Sequence, residues 1–386
     1  MAVESRELLP WDHPLQPEFQ QIELLPKPAL RLDCGKVLGK ITVAYETFGQ
    51  LAPDGSNAVL VTHSLTADSH VSRGNSLRAG WWEGIVGPGK VIDTRKYFVV
   101  CSNVLGGCSG TTGPCSPHPQ DNKPYGMRFP PVTIRDMVRV QKALLDSLGI
   151  KSLRLVVGGS MGGMQALEWA IMYPDMVENA MVIACPAAQQ SQAIAFNEVM
   201  RRAIMMDPAW KEGKYSLGEG PRLGLGLARM VGMITYHSHL SMDMRFGRQR
   251  VPGGPDGLAW AGLKGKTVFQ VESYLQHQAE KINRRFDANS YIYLTRAMDM
   301  HDIGEDRGGI REALRAVKAR LLVVGISTDI LYPLALVESL YREALAAGVD
   351  AHYEVIESPH GHDAFLVDIE ATERVMSNLL RKGELI

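Results

Sequence analysis

The segment from Leu155 to Ala166, LVVGGSMGGMQA, contains Gly-x-Ser-x-Gly between Gly158 and Gly162. An apolar run precedes it and a helix-forming run follows. On a tight strand-to-helix turn of this kind, small neighbours are needed because side chains there would collide with adjacent strands. The turn lifts the Ser160 hydroxyl to a helix N-terminus, where free N–H groups favour developing negative charge. The chemistry this suits is nucleophilic acyl transfer. A serine hydroxyl is a weak nucleophile, so it needs a base, and the base needs an orienting acid.

In sheet hydrolases the chain order is serine, acid, histidine, with the last two on loops after late strands. Asp329 in GISTDILYP follows one apolar run, and ESPHGHDAF follows another with both His360 and His362. Spacing leaves either histidine as the base. Asp363 is a further carboxylate at the base, or else a helix N-cap. An oxyanion needs two backbone donors: Met161, directly after the serine, supplies one. The loop His63-Ser64-Leu65-Thr66 supplies the other, through the Leu65 N–H.

Other chemistries find no support. Cys101, Cys108, Cys115 and Cys185 lack metal-site spacing and read as structural thiols. Lys36 and Lys40 do not complete a phosphate-binding Gly-x-x-x-x-Gly-Lys pattern. Met200, Met205, Met206, Met230 and Met233 read as packing residues.

The elements that must carry these residues follow from periodicity. Short apolar runs with no polar face read as buried parallel strands: 58–62, 97–101, 153–157, 180–184, 320–324 and 352–356. Helical patterns occupy 134–148, closed by Gly149, then 161–172, 334–347, closed by Gly348, and 370–380. The first 25 or so residues, proline-rich, read as an extended arm, and 29–47 as two β-rich stretches turned at Gly35 and Gly39. This alternation predicts an α/β fold with a mostly parallel central sheet covered on both faces. The rhythm breaks from 187 to 300, where helical composition is interrupted by glycine-rich loops such as GEGPRLGLG and VPGGPDG. The expected organisation is a catalytic core from 1–186 and 301–386, with 187–300 as a helical lid.

Composition sets outer bounds. The 386 residues suit two domains, or one with an insertion. Lys+Arg 41 against Asp+Glu 42 leaves a net charge of −1, without the basic excess of a nucleic-acid binder. Five cysteines, an odd number, make no disulfide framework and point to a reducing compartment. No run reaches the roughly 18 apolar residues a membrane helix needs, so a cytoplasmic location with neither membrane nor nucleic-acid partner is expected.

Several longer stretches resemble the homoserine O-acyltransferases of the α/β-hydrolase superfamily over nearly the whole chain. They include SNVLGGCSGTTGP (102–114), VVGGSMGGMQALEWA (156–170), AFNEVMRRAI (195–204), ARMVGMITY (228–236), RFDANSYIYLTRAMD (285–299) and SPHGHDAFL (358–366). The resemblance implies an α/β-hydrolase fold with Ser160 as nucleophile, Asp329 as acid and His362 as base. It also implies Arg229 and Asp363 as substrate-binding residues, with Tyr236 a further candidate. The implied reaction is ping-pong transfer of an acetyl group from acetyl-CoA, a co-substrate and not a resident cofactor, to L-homoserine in methionine biosynthesis. Succinyl-CoA as donor, serine as acceptor, or plain ester hydrolysis are the alternatives on the same scaffold. A homodimer built through the lid is implied, and no metal. Two positions depart from the family pattern: Ala67 stands where glycine is common, and His360 where tyrosine or glutamine is usual. Both lie near the expected site and bear on substrate selectivity.

Overall fold

The computed structural model of the chain describes residues 19–26, 29–74, 76–216, 218–252 and 268–382. Eight strands form one sheet: β1 (Gln20–Leu24), β2 (Ile41–Phe48), β3 (Ala58–Thr62), β4 (Phe98–Ser102), β5 (Leu153–Gly159), β6 (Asn179–Ile183), β7 (Arg320–Ile326) and β8 (Ala351–Ile356). Their spatial order is β1-β2-β4-β3-β5-β6-β7-β8. The pairs from β4 to β8 are all parallel, while β2 runs antiparallel to both β4 and β1. Each strand read from an apolar run is present, with ends displaced by a residue or two.

The absence of a polar face in those runs has a direct cause. Leu321 and Val323 of β7 join the core on one side of the sheet. Leu322 and Val324 join a separate core on the other. Helices cover both sides. α1 (Ile134–Ser147), α2 (Met161–Met172) and α9 (Leu334–Ala346) pack on the first, and α11 (Ile369–Lys382) on the second. A strand buried on both faces can carry apolar residues throughout. α1 opens with a capping box from Thr133 and Asp136, and Gly149 at φ 75° closes it, as the glycine predicted.

Between β6 and β7 the described chain adds no strand to the sheet. It forms α3 (Ser191–Met206), α4 (Arg222–Tyr236), α5 (His239–Arg245), α6 (Gln270–Asn283) and α7 (Ala288–Asp299). α4 packs between α3 and α6. Two short helices, α8 (Ile310–Leu314) and α10 (Ala364–Val367), complete the fold.

Three expectations need correction. The arm is not free where it is described, because Gln20–Leu24 pairs with β2 as an edge strand; residues 1–18 lie outside the described residues. Its mostly exposed or half-buried residues carry no apolar run to read. The second concerns GEGPRLGLG, whose RLGLG portion is helix and not loop. Gly224 lets α4 approach α3 so closely that a Cβ there would lie 2.4 Å from the Ala203 carbonyl oxygen. Among the methionines, Met200 and Met233 are buried as packing residues, but Met206 is 79% exposed. Most of the turn VPGGPDG lies outside the described residues.

Candidate active site

Because β3 to β8 are parallel, the loops that follow them emerge at one edge of the sheet. Ser160 follows β5, residues 63–66 follow β3, Asp329 follows β7 and His362 follows β8. The topology therefore brings together residues up to about three hundred positions apart.

Ser160 is a non-glycine residue at φ 58°, ψ −125°, and it immediately precedes α2. Neighbouring atoms leave no freedom to relax this strained turn. A Cβ at Gly158 would lie 2.3 Å from Thr62 Oγ1, at Gly159 2.4 Å from the Phe365 ring, and at Gly162 2.2 Å from the Thr62 carbonyl oxygen. Strained backbone of this kind persists only where its surroundings fix it.

His362 Nδ1 lies 2.7 Å from Asp329 Oδ2. The second carboxylate oxygen of Asp329 accepts the backbone N–H groups of Leu331 (2.8 Å) and Tyr332 (2.9 Å), so the acid cannot swing away. Burial alone would push the His362 imidazole down. The adjacent Asp329 carboxylate outweighs it and raises the group above its ordinary value. His362 Nε2 is buried with no partner in the protein, and Ser160 lines the same pocket. His360 is elsewhere: its Nδ1 meets Ser241 Oγ at 3.4 Å. Of the two histidines that spacing allowed, only His362 meets the acid.

Met161 is the first residue of α2, so its N–H has no intrahelical acceptor. Leu65 lines the pocket in the facing loop. One buried amide ties these two parts together. Gln165 Nε2 donates to the carbonyls of His63 (3.1 Å) and Met161 (3.0 Å). Its own oxygen accepts from Gln141, which in turn accepts from Trp169. His63 Nδ1 faces the Ser64 carbonyl, while Nε2 accepts the Val104 N–H, which fixes a neutral tautomer. Burial keeps that ring from charging.

The remaining wall is polar. Arg229 and Tyr236 reach in from α4, and Asp363 from the turn before α10. Asp363 stands at the N-cap position of α10, but its side chain accepts no capping N–H there, so it is not held as a helix cap. Burial raises its carboxyl, with the His362 and Arg229 charges opposing. Arg229 Nη1 donates to Thr66 Oγ1 at 3.3 Å and its guanidinium lies 5.8 Å from the Tyr236 ring centroid. The Tyr236 ring stands 6.0 Å from that of His362. Burial raises the Tyr236 phenol, leaving it a neutral donor.

Ser160, His362, Leu65, Arg229, Tyr236 and Asp363 thus line this pocket, Asp329 and Met161 stand behind its wall, and His360 lies outside it. Among the pocket residues that were missed are Asp68, Arg78, Trp81 and Arg285. Asp68 follows the loop His63-Ser64-Leu65-Thr66 and Arg285 opens RFDANSYIYLTRAMD, but neither follows a spacing that announces a role. Among the described residues, no group of three or more histidine, cysteine or acidic side chains is placed to hold a metal. The cysteines are free thiols, and burial pushes that of Cys108 up to about 12.

Comparison with known proteins gives the family and the fold. Residues 57–369 match the family model of the alpha/beta hydrolase fold. A homoserine O-acetyltransferase from Carboxydothermus hydrogenoformans is 49% identical over 92% of this chain and 93% of its own. The crystal structure of homoserine O-acetyltransferase from Bacillus anthracis superposes with a TM-score of 0.84 at 29% identity, covering 95% of this chain and 98% of that one. The structure of esterase E22 is similar to the same degree, with a TM-score of 0.85 at 30% identity over 94% and 99%.

Proposed function

The chain belongs to the homoserine O-acetyltransferases of the α/β-hydrolase fold, and we propose that it moves an acetyl group from acetyl-CoA to the side-chain hydroxyl of L-homoserine through an acyl-Ser160 intermediate. His362 Nε2 takes the Ser160 proton as Oγ attacks the thioester carbonyl. The oxyanion lies against the N–H groups of Met161 and Leu65. The tetrahedral intermediate collapses, the C–S bond breaks, and His362 returns the proton to the coenzyme A thiolate. Homoserine then enters with its carboxylate on Arg229 and its ammonium at Asp363, and Tyr236 lines the space beside them. His362 accepts the proton of its hydroxyl, which attacks the acyl-enzyme; the bond from Ser160 Oγ to the acyl carbon breaks and His362 returns the proton to Ser160.

The observation that carries this reading is the presence of Arg229 and Asp363 in one wall with Ser160 and His362. A hydrolase needs no zwitterion-binding pair, because water has nothing for it to hold. The helical insertion over the pocket would give a bound acceptor a high effective concentration in a partly enclosed site. The product is an activated amino acid for methionine biosynthesis. The free thiols and the acyl-CoA donor suit the cytoplasm, and the lid is the surface on which a homodimer would form.

Thiol release from acetyl-CoA tests the proposal. Release should depend on homoserine, and Ser160→Ala should abolish it together with acetyl-enzyme formation seen by intact-protein mass spectrometry. Full activity in Ser160→Ala sinks the mechanism. Homoserine-independent release at the full rate favours the esterase reading that the E22 similarity raises. Crossing acetyl-CoA and succinyl-CoA with homoserine and serine sets donor and acceptor.

A further inference from the structure

The transfer reading gives Arg229 a carboxylate to bind and leaves a second guanidinium beside it without a task. Arg285 enters the pocket from the turn between α6 and α7. Its Nη1 donates to the Thr66 carbonyl at 3.0 Å, while Arg229 donates to the hydroxyl of that same threonine. The two cations are therefore gathered on one residue, next to Leu65. Arg285 Nε is buried and has no acceptor in the protein.

The surrounding charges do not balance. Arg78, Arg229 and Arg285 face the pocket against Asp68 and Asp363. Arg78 already holds Asp68 at 3.2 Å. Among the described residues, neither Arg229 nor Arg285 has a carboxylate in ion-pair contact. Lys281 adds a further positive charge nearby. Burial, then repulsion from Arg229, presses the Arg285 guanidinium down to about 10, with Asp68 the main opposing charge. Two like charges half-buried in one pocket are unfavourable unless an anion joins them.

Resting on the transfer reading above, we infer that Arg285 is a second substrate-positioning residue, which takes the acceptor's α-carboxylate together with Arg229. A carboxylate has two oxygens and four lone-pair sites, and two guanidiniums can share it. The phosphates of coenzyme A are not an alternative occupant. They lie a full pantetheine arm from the thioester, whereas Thr66 adjoins the residue facing the reacting carbonyl. The arrangement makes the carboxylate a condition of entry, so the enzyme distinguishes amino acids from amino alcohols.

The test removes the same contact from each side. 3-Aminopropan-1-ol is homoserine without its carboxylate. The kcat/KM of wild type, Arg285→Met and Arg285→Lys is measured with acetyl-CoA and each acceptor. With homoserine, Arg285→Met should lose about 10- to 100-fold, the size of one charged hydrogen bond. With 3-aminopropan-1-ol the loss should be smaller by that factor. Arg285→Lys, which keeps a charge but not the planar fork, should show the same selectivity at reduced size and serves if the methionine variant does not fold. Equal losses with both acceptors in either variant overturn the inference and leave Arg285 as a brace for the Thr66 loop. Failure of wild type to transfer to homoserine would instead sink the function itself.

Discussion

At the scale of single residues, Asp329 decides what His362 can do. Two backbone N–H groups hold its carboxylate and the third contact aims it at Nδ1. Burial alone would lower the imidazole, and the carboxylate more than reverses this. The base works in its neutral form, so acylation should rise with pH through a midpoint above the ordinary histidine value of about 6.5. Asp329→Asn removes the charge that raises the pKa. The midpoint of its residual activity should therefore move down, and kcat should fall by about 10⁴-fold through loss of the correct tautomer. A pH profile of kcat/KM checks both, and an unmoved midpoint would show that another group titrates. The serine and the donor after it were legible because a strained turn restricts which residues can flank it, and the acid was legible from its place just after a late apolar strand. Spacing could not separate His360 from His362, since both share one loop; only the pairing with Asp329 does. Arg285, Asp68 and Arg78 were illegible because an isolated charge looks the same on a solvated surface as in a pocket.

At the scale of elements, α4 is both wall and support. Its buried face carries Gly224, Leu225, Ala228, Gly232 and Thr235, and the same helix delivers Arg229 and Tyr236 to the pocket. Gly224 sets how close that helix lies. A methyl group there would sit 2.4 Å from the Ala203 oxygen and 2.7 Å from the Ile204 Cα, both backbone atoms that cannot step aside. Gly224→Ala should cost about 1–3 kcal/mol of stability, despite alanine's better helix propensity. It should also raise the KM for homoserine as Arg229 shifts. Thermal denaturation and steady-state kinetics measure the two effects, and a stabilised variant would mean that α3 and α4 part freely. This contact also explains why RLGLG reads as a loop. Glycines that serve close helix packing cannot be told from glycines that serve turns until the neighbouring helix is known. Central strands were easy to read for the opposite reason, since burial on both faces removes every polar residue from the run. The edge strand β1 offered no such run.

At the scale of the whole molecule, the outer face of α4 is apolar. Leu223 is 84% exposed, Leu227 51% and Ile234 53%, at spacings that line one side of the helix. Leu240 and Met244 on α5 are also exposed. A homodimer formed on this face would remove them from water and would brace α4 from behind. Sedimentation should then report a dimer for the wild type, and Leu223→Asp with Leu227→Asp should give monomers with a raised homoserine KM. A wild-type monomer at micromolar concentration would refute it. No helix of the described residues is long and apolar enough to cross a membrane.

The placement of α3–α7 between β6 and β7 has a consequence for how the molecule comes into being. A ribosome releases Ser160 and both oxyanion donors first, then the lid, and Asp329 and His362 last. Until β7 emerges, the open edge of β6 waits without a partner through the synthesis of six helices among the described residues, which is the interval in which a nascent chain most needs protection from mispairing. The same delay separates the nucleophile from its base. On the proposed mechanism a half-made chain therefore holds a serine that cannot yet attack a thioester, and activity would begin only as the final strands close the sheet.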